Sequence, residues 1–199
     1  MEPPAYYDRL ARTVATSSGH LPHWSQRCAT FVTFRLADSL PAGKLTAFAA
    51  EREEWIGQHP EPWDEKTEAE YEELFPARFQ AWLDAGCGSC ILADASCRRI
   101  VEETLRHFDG VRYSLYAYVV MPNHVHVLFM PAEGFAGAEI VQAWKSYSAK
   151  ALNRARNASG VVWQKESYDH LVRSVEEFNH IRSYIRNNAP HLAYDAYTP

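Results

Sequence analysis

The stretch "YVVMPNHVHVLFM", residues 118–130, decides the fold. Apolar and β-branched residues flank a central Pro122-Asn123 pair, and that pattern reads as two strands, 112–122 and 124–130, joined by a tight turn. Proline presets one turn dihedral and asparagine tolerates the next. Along a strand, residues i and i+2 point to the same face. His124 and His126 therefore project together, while Val125, Val127 and Phe129 project the other way, towards a helical layer. Two imidazoles side by side on a sheet face are either an ordinary hydrogen-bonded pair or the start of a divalent-metal site.

Outward from the hairpin, the chain alternates between periods. "CATFVTFRL" (28–36) is β-branched and aromatic and reads as a strand. "DASCRRIVEETLRHFDG" (94–110) reads as a helix capped by Asp94 or Ser96 and ended by Asp109-Gly110. Residues 136–156 carry Ile140, Trp144, Tyr147 and Ala151 at helical spacing, and "VVWQKESYDHLV" from Val161 reads as a strand running into a loop. The last helix, 174–188, opens on Ser174 and Glu177, the pattern of a capping box. Two further helices, 42–58 and 65–86, are separated by Pro60 and Pro62, with Gly86 as a C-cap. With that pair set aside, the order is β-α-β-β-α-β, then α. This predicts an α+β fold: a ferredoxin-like sheet with helices on one face, plus a C-terminal helix and an acidic helical insertion. The expectation is a single domain over 1–199, elaborated at about 42–86.

The bulk numbers exclude some classes. With 47% apolar residues and 13% aromatics the chain can bury a sizeable core. No apolar run approaches the roughly 20 residues that span a bilayer, and "MEPPAYYDRLARTV" lacks the basic start and apolar stretch of a signal peptide. The expectation is a soluble, cytoplasmic protein with no membrane partner, whose four cysteines are reduced. Cys87 and Cys90 form a lone C-x-x-C, which reads as small packing residues rather than as a zinc site, since zinc needs more ligands at suitable spacing.

The net charge of −5 is unevenly distributed. Residues 51–84 hold 11 acidic and 3 basic side chains, whereas 141–190 hold 8 basic and 4 acidic ones. Local field steers a polyanion more than the total does. The basic stretch is either a solvated face or a nucleic-acid track.

A metal site needs a third ligand and something to act on. In the last helix His180, Tyr184 and Asn188 recur every four residues and share one face. A phenol with a pKa near ~10 is about one part in a thousand ionised at neutral pH, and full deprotonation costs about 4 kcal/mol. A nearby cation lowers that cost, and a metal can polarise a phosphate oxygen. Asn188, one turn beyond Tyr184, could complete the metal site through its amide oxygen.

Four ordered motifs carry a family resemblance: "VVMPNHVHVLF", "AWKSYSAKALNRA", "VWQKESYDHLVR" and "YIRNNAP". Together they resemble the IS200/IS605-type single-tyrosine transposases, and within them the REP-associated tyrosine transposases (RAYTs). "LPHWSQRCATFVTFRLADSLP" and "HFDGVRYSLYAYVVMPNHVH" also resemble that subgroup. The resemblance covers about residues 20–190, apart from the acidic helices.

It implies an HUH endonuclease: His124 and His126 as the paired metal histidines, Tyr184 as the nucleophile and Asn188 as third ligand. Mg²⁺ or Mn²⁺ is the implied cofactor. The implied reaction is nicking and joining of single-stranded DNA through a 5′-phosphotyrosine intermediate, on REP-type hairpins. The alternative is a domesticated hairpin-binding protein without turnover. Tyr168 is a rival nucleophile, and it fits better as a residue that shapes the site. Ala189 stands where the family has proline, and "HLAYDAYTP" departs from the usual continuation.

For DNA contact the candidates are Lys145, Lys150, Arg154, Arg156, Arg173, Arg182 and Arg186, with Trp163 and Tyr168 as stacking surfaces. Trp144 offers either a stacking surface or a core contact. "LPHW" either helps bind the hairpin or covers a sheet edge. A monomer is favoured over a dimer that exchanges its tyrosine helix. The acidic helices lie either on the far side from the DNA or over the cleft as a shield.

Overall fold

The computed structural model describes residues 2–8, 14–17, 22–60 and 63–197. In chain order its elements are β1 (Val14–Ser17), β2 (Pro22–Ser25), β3 (Thr30–Arg35), α1 (Ala42–Gln58), α2 (Glu65–Glu72), α3 (Arg78–Asp84) and α4 (Ala95–Arg106). There follow β4 (Tyr113–Val120), β5 (His124–Pro131), α5 (Gly137–Ala155), β6 (Tyr168–Leu171), α6 (Val175–Asn188) and β7 (Tyr194–Asp195). β1 and β2 form a separate two-stranded ribbon. It includes the backbone of "PHW", and the side chains of His23 and Trp24 lie outside the described residues.

The main sheet has the order β6-β3-β5-β4-β7, and every pairing is antiparallel. Without β7, that is the interleaved order of a ferredoxin-like β-α-β-β-α-β unit, as the sequence predicts. β5 sits between β3 and β4 and is buried along its whole length. One face of the sheet packs Val32, Phe34, Val125, Val127 and Phe129 against α4 and α5, through Val101, Leu105, Ile140 and Trp144. The other face packs Phe31, Val119, Leu128 and Met130 against Phe178, Ile181 and Ile185 of α6. The helices thus flank both faces, and α6 takes the histidine side.

Caps follow the sequence closely. The Asp94 carboxylate accepts from the backbone N–H groups of Ser96 and Cys97 at the start of α4. Ser174 Oγ accepts from Glu177 N at 3.2 Å. The Glu177 carboxylate reaches back to Arg173 N at 2.6 Å, one residue earlier than the expected box.

Three features depart from the sequence reading. β6 starts only at Tyr168: Trp163 makes an isolated bridge to Leu36, and four residues then bulge opposite two before Tyr168 pairs with Thr33. The helix predicted over 65–86 is interrupted by a π-helical turn at Glu73–Ala77, because Pro76 has no N–H to give to the regular ladder. The tail, which departs from the family pattern, adds β7 to the edge of β4, where Arg182 anchors it through Asp195.

The acidic elaboration has an aromatic core of its own. Trp55 meets Trp63, Tyr71 and Phe75 at ring separations of 5.3, 5.5 and 5.9 Å. Its surface carries the charge. Among the described residues no helix is long and apolar enough to cross a membrane.

Candidate active site

Alternation along β5 puts His124 and His126 on the α6 side, both 0% exposed. Their Nε2 atoms lie 3.0 Å apart. Each Nδ1 has its own partner: Asn123 Oδ1 at 2.7 Å for His124 and Thr33 Oγ1 at 2.8 Å for His126. Asn123 is fixed in turn, since its Nδ2 donates to the Cys87 carbonyl at 2.9 Å. An amide oxygen only accepts, so the Asn123 contact places a proton on His124 Nδ1 and turns Nε2 towards His126. Gln80 Nε2 donates to Thr33 Oγ1 at 3.2 Å. Burial, and next to it the neighbouring His124, pushes the His126 pKa well below the usual histidine value, so His126 is neutral at pH 7.

The tyrosine comes from α6. Its apolar face, Phe178, Ile181 and Ile185, is seated on the sheet, and Tyr184 follows on the edge of that face. The Tyr184 hydroxyl lies 3.3 Å from His126 Nε2, and the ring stands edge-on to His126 and to Phe31. Burial raises the Tyr184 pKa, opposed by hydrogen bonding to Asn188 and assisted by the Asp84 charge. Asn188, one turn beyond Tyr184, donates Nδ2–H to the Tyr184 carbonyl at 3.2 Å. His180, one turn before Tyr184, is exposed.

One residue at this site has no counterpart among the sequence candidates. Asp84, the last residue of α3, puts Oδ1 3.4 Å from His124 Nε2. Among the described residues, Asp84, His124 and His126 form the group with potential metal-ligand atoms within 4.8 Å of one another. The end of α3 therefore lies at the histidine side of the sheet. The available signal was a helix ending on an aspartate, where the helix dipole disfavours an anion.

The donor set fits a divalent cation. Two ligands at right angles, each about 2.1 Å from an ion, stand about 3.0 Å apart. His124 Nε2, His126 Nε2 and Asp84 Oδ1 lie within 4.8 Å of one another, close enough for one cation to take a bond from each. Nitrogen and carboxylate donors suit Mn²⁺, and Mg²⁺ takes the oxygen share of such a set.

The remaining candidates divide by burial. Lys150, Arg154 and Arg156 are exposed on the last turns of α5, and Arg173 and Arg186 are exposed beside α6. Trp163 is corrected: at 5% exposure, donating Nε1–H to Ser148 Oγ at 2.9 Å and standing edge-on to Phe34, it offers no face to a base. Trp144 is likewise core, and donates to the Tyr113 hydroxyl at 2.9 Å. Lys145 is also buried and spends its ammonium on the Lys165 carbonyl at 2.6 Å. Burial, with Arg35 adding to it, pulls its pKa down to about 8. Arg182 is committed to Asp195 and to the Tyr197 carbonyl, at 2.8 and 2.7 Å.

Tyr168 lies half-buried on the histidine side of the sheet. Tyr147, expected on the core stripe of α5, is instead 68% exposed. Cys87 is exposed and Cys90 half-buried, so neither is a packing residue; Cys28 and Cys97 fill that role.

Residues 93–188 match the family described as "Transposase IS200 like". This segment belongs to the IS200-like transposase family. It runs from the start of α4 to the end of α6 and contains both histidines and Tyr184. Among solved structures, a REP-associated tyrosine transposase bound to a REP hairpin is similar at 16% identity and a TM-score of 0.41. That match covers 82% of this chain and 67% of the other. A structure assigned as a transposase from Deinococcus radiodurans R1 is similar at 15% identity and a TM-score of 0.43, over 87% of this chain and 98% of that one. Curated proteins give no match. Asp84 lies outside the transposase segment, in the elaboration that precedes it.

Proposed function

We propose that this IS200-like transposase nicks and joins single-stranded DNA with Tyr184 as nucleophile, that it works with a divalent metal, and that REP-type hairpins are its substrate class. One observation carries the reading: the Tyr184 hydroxyl lies 3.3 Å from His126 Nε2, which is itself 3.0 Å from His124 Nε2. A phenol from α6, two buried imidazoles from β5 and a carboxylate from the end of α3 match phosphoryl transfer better than a structural polar cluster. The RAYT assignment and the hairpin substrate rest on the ordered sequence motifs. The full span 1–199 acts as one HUH-type unit.

In the reaction, the Tyr184 oxygen forms a bond to phosphorus and the P–O3′ bond breaks. The enzyme keeps the 5′ phosphate, and the phenolic proton ends on the departing 3′ oxygen. A 3′ hydroxyl can then reverse the step, because the phosphotyrosine link conserves the free energy of the broken bond. His124, His126 and Asn188 are the family-type ligands for Mn²⁺ or Mg²⁺, which when bound polarises a phosphate oxygen and favours the phenolate. Phe31 and the apolar stripe of α6 orient Tyr184, and burial keeps its hydroxyl protonated until DNA and cation are in place. Lys150, Arg154, Arg156, Arg173 and Arg186 track the DNA backbone, and Tyr168 shapes the site.

The test is incubation with a panel of hairpin oligonucleotides and Mn²⁺, resolved on a denaturing gel. Wild type forms a covalent adduct, and Tyr184→Phe forms none. An adduct that survives Tyr184→Phe and vanishes in Tyr168→Phe reverses the nucleophile. One chain contributes the histidines and Tyr184 alike, which supports action as a monomer. Mixing Tyr184→Phe with His126→Ala therefore restores no adduct; restored activity would mean that α6 exchanges between copies.

A further inference from the structure

The acidic elaboration ends beside the two histidines. Three observations single out Asp84. It occupies the last turn of α3, where the carbonyl ends of the helix repel an anion and no basic side chain compensates. Its Oδ1 is 3.4 Å from His124 Nε2, on the same side as His126 Nε2 and Tyr184. Its position is built rather than accidental. Leu83 is fully buried, Gln80 holds Thr33, and the Phe79 ring lies under the Arg35 guanidinium, 5.6 Å from its carbon to the ring centroid. Gln80 and Asp84 are one turn apart and face the same imidazole pair. Gln80 reaches His126 through Thr33, and Asp84 reaches His124 directly.

We propose that Asp84 is a protein ligand of the metal site, so that the acidic elaboration supplies a carboxylate to complete a two-histidine, one-carboxylate set. The inference rests on the metal-site reading above and extends it to a residue outside the transposase segment. Two neutral imidazoles alone hold a hard cation weakly; an anionic oxygen gives the set the charge and hardness that Mn²⁺ or Mg²⁺ selects. It also explains an anion at a helix C-terminus, since a bound cation offsets the dipole. The elaboration is then part of the catalytic unit.

The test is calorimetric titration of the full-length protein with MnCl₂, paired with thermal melts with and without Mn²⁺. Asp84→Asn is nearly isosteric. It weakens Mn²⁺ binding roughly 10–100-fold, removes most of the Mn²⁺-induced rise in Tm, and leaves the metal-free Tm unchanged or higher. Asp84→Glu, which keeps the charge, binds Mn²⁺ more tightly than Asp84→Asn. Asp84→Asn binding within twofold of wild type, while His126→Ala abolishes binding, overturns the proposal. A lower metal-free Tm with unchanged Mn²⁺ affinity also overturns it, and makes Asp84 a structural partner of His124. Wild-type Mn²⁺ affinity in His126→Ala is a failure of the metal-site reading itself.

Discussion

The two faces of β5 are equally dry and do different work. Val125, Val127 and Phe129 meet α4 and α5 in an apolar layer. One residue out of phase, His124 and His126 are as fully buried, yet each makes polar contacts through both ring nitrogens. An apolar face is held by packing, and nothing in it depends on orientation beyond shape. The histidine face is held by a chain of directed bonds, from the Cys87 carbonyl through Asn123 to His124, and from Gln80 through Thr33 to His126. Polar groups in a dry setting are costly when unpaired. Here two imidazole nitrogens and a carboxylate oxygen lie within 4.8 Å of one another, close enough to share one ligand.

The contrast breaks most visibly if stability and chemistry fail to separate. Phe129→Ala should cost about 3–5 kcal/mol in denaturant unfolding, while the folded fraction still forms the DNA adduct. His126→Gln should lose the adduct entirely with a far smaller change in stability. Equal destabilisation by the two substitutions would make the histidine face a second core.

Next in size is the support behind the imidazoles. Asn123→Ala removes the acceptor that fixes His124 Nδ1–H, and should weaken Mn²⁺ binding by roughly 10–100-fold. The readout is calorimetry on the metal-free protein.

A smaller effect sharpens the contrast between the acidic and basic regions. Lys150→Ala combined with Arg154→Ala should weaken hairpin binding uniformly across sequences. It should also lower the slope of log affinity against log salt by about 1 per cation removed. An unchanged slope would mean that this end of α5 faces solvent in the complex.

The smallest effect tests the anchoring of α6. Burial raises the Glu177 pKa, but the His170 ring and the Arg173 N–H outweigh it and leave the carboxyl below its usual value. A folded pKa below the unfolded one gives stability that is present above about pH 4.3 and lost as pH falls through the folded value. Glu177→Gln should therefore cost about 1 kcal/mol at pH 7, and the difference from wild type should shrink below pH 4, as followed by thermal melts.

How much of this was legible in the chain depends on the range of each interaction. The hairpin, the caps at Asp94 and Ser174 and the shared face of Tyr184 and Asn188 follow from periods of 2 and 3.6 and from local side-chain-to-backbone bonds. Trp163 misled because an aromatic between basic residues looks like a stacking platform, whereas a distant partner, Ser148, draws it into the core. Tyr147 misled in the other direction, since its spacing matched the apolar stripe of α5 while its ring turned outward. Alternation starts the last strand at Val161, because it does not reveal a bulge opposite another strand, and pairing begins only at Tyr168.

Residue periodicity alone sets the order of strands and helices, the shared face of the two histidines, and the helix that carries Tyr184. Each is set by a period that neighbouring residues express within a few positions. Tertiary packing alone brings Tyr184 to His126 across 58 residues of chain and carries Asp84, at the end of α3, to the same spot. Those distances depend on how helices seat on a twisted sheet. A carboxylate at the end of one helix carries no mark, in its own stretch of chain, of the imidazole it will face.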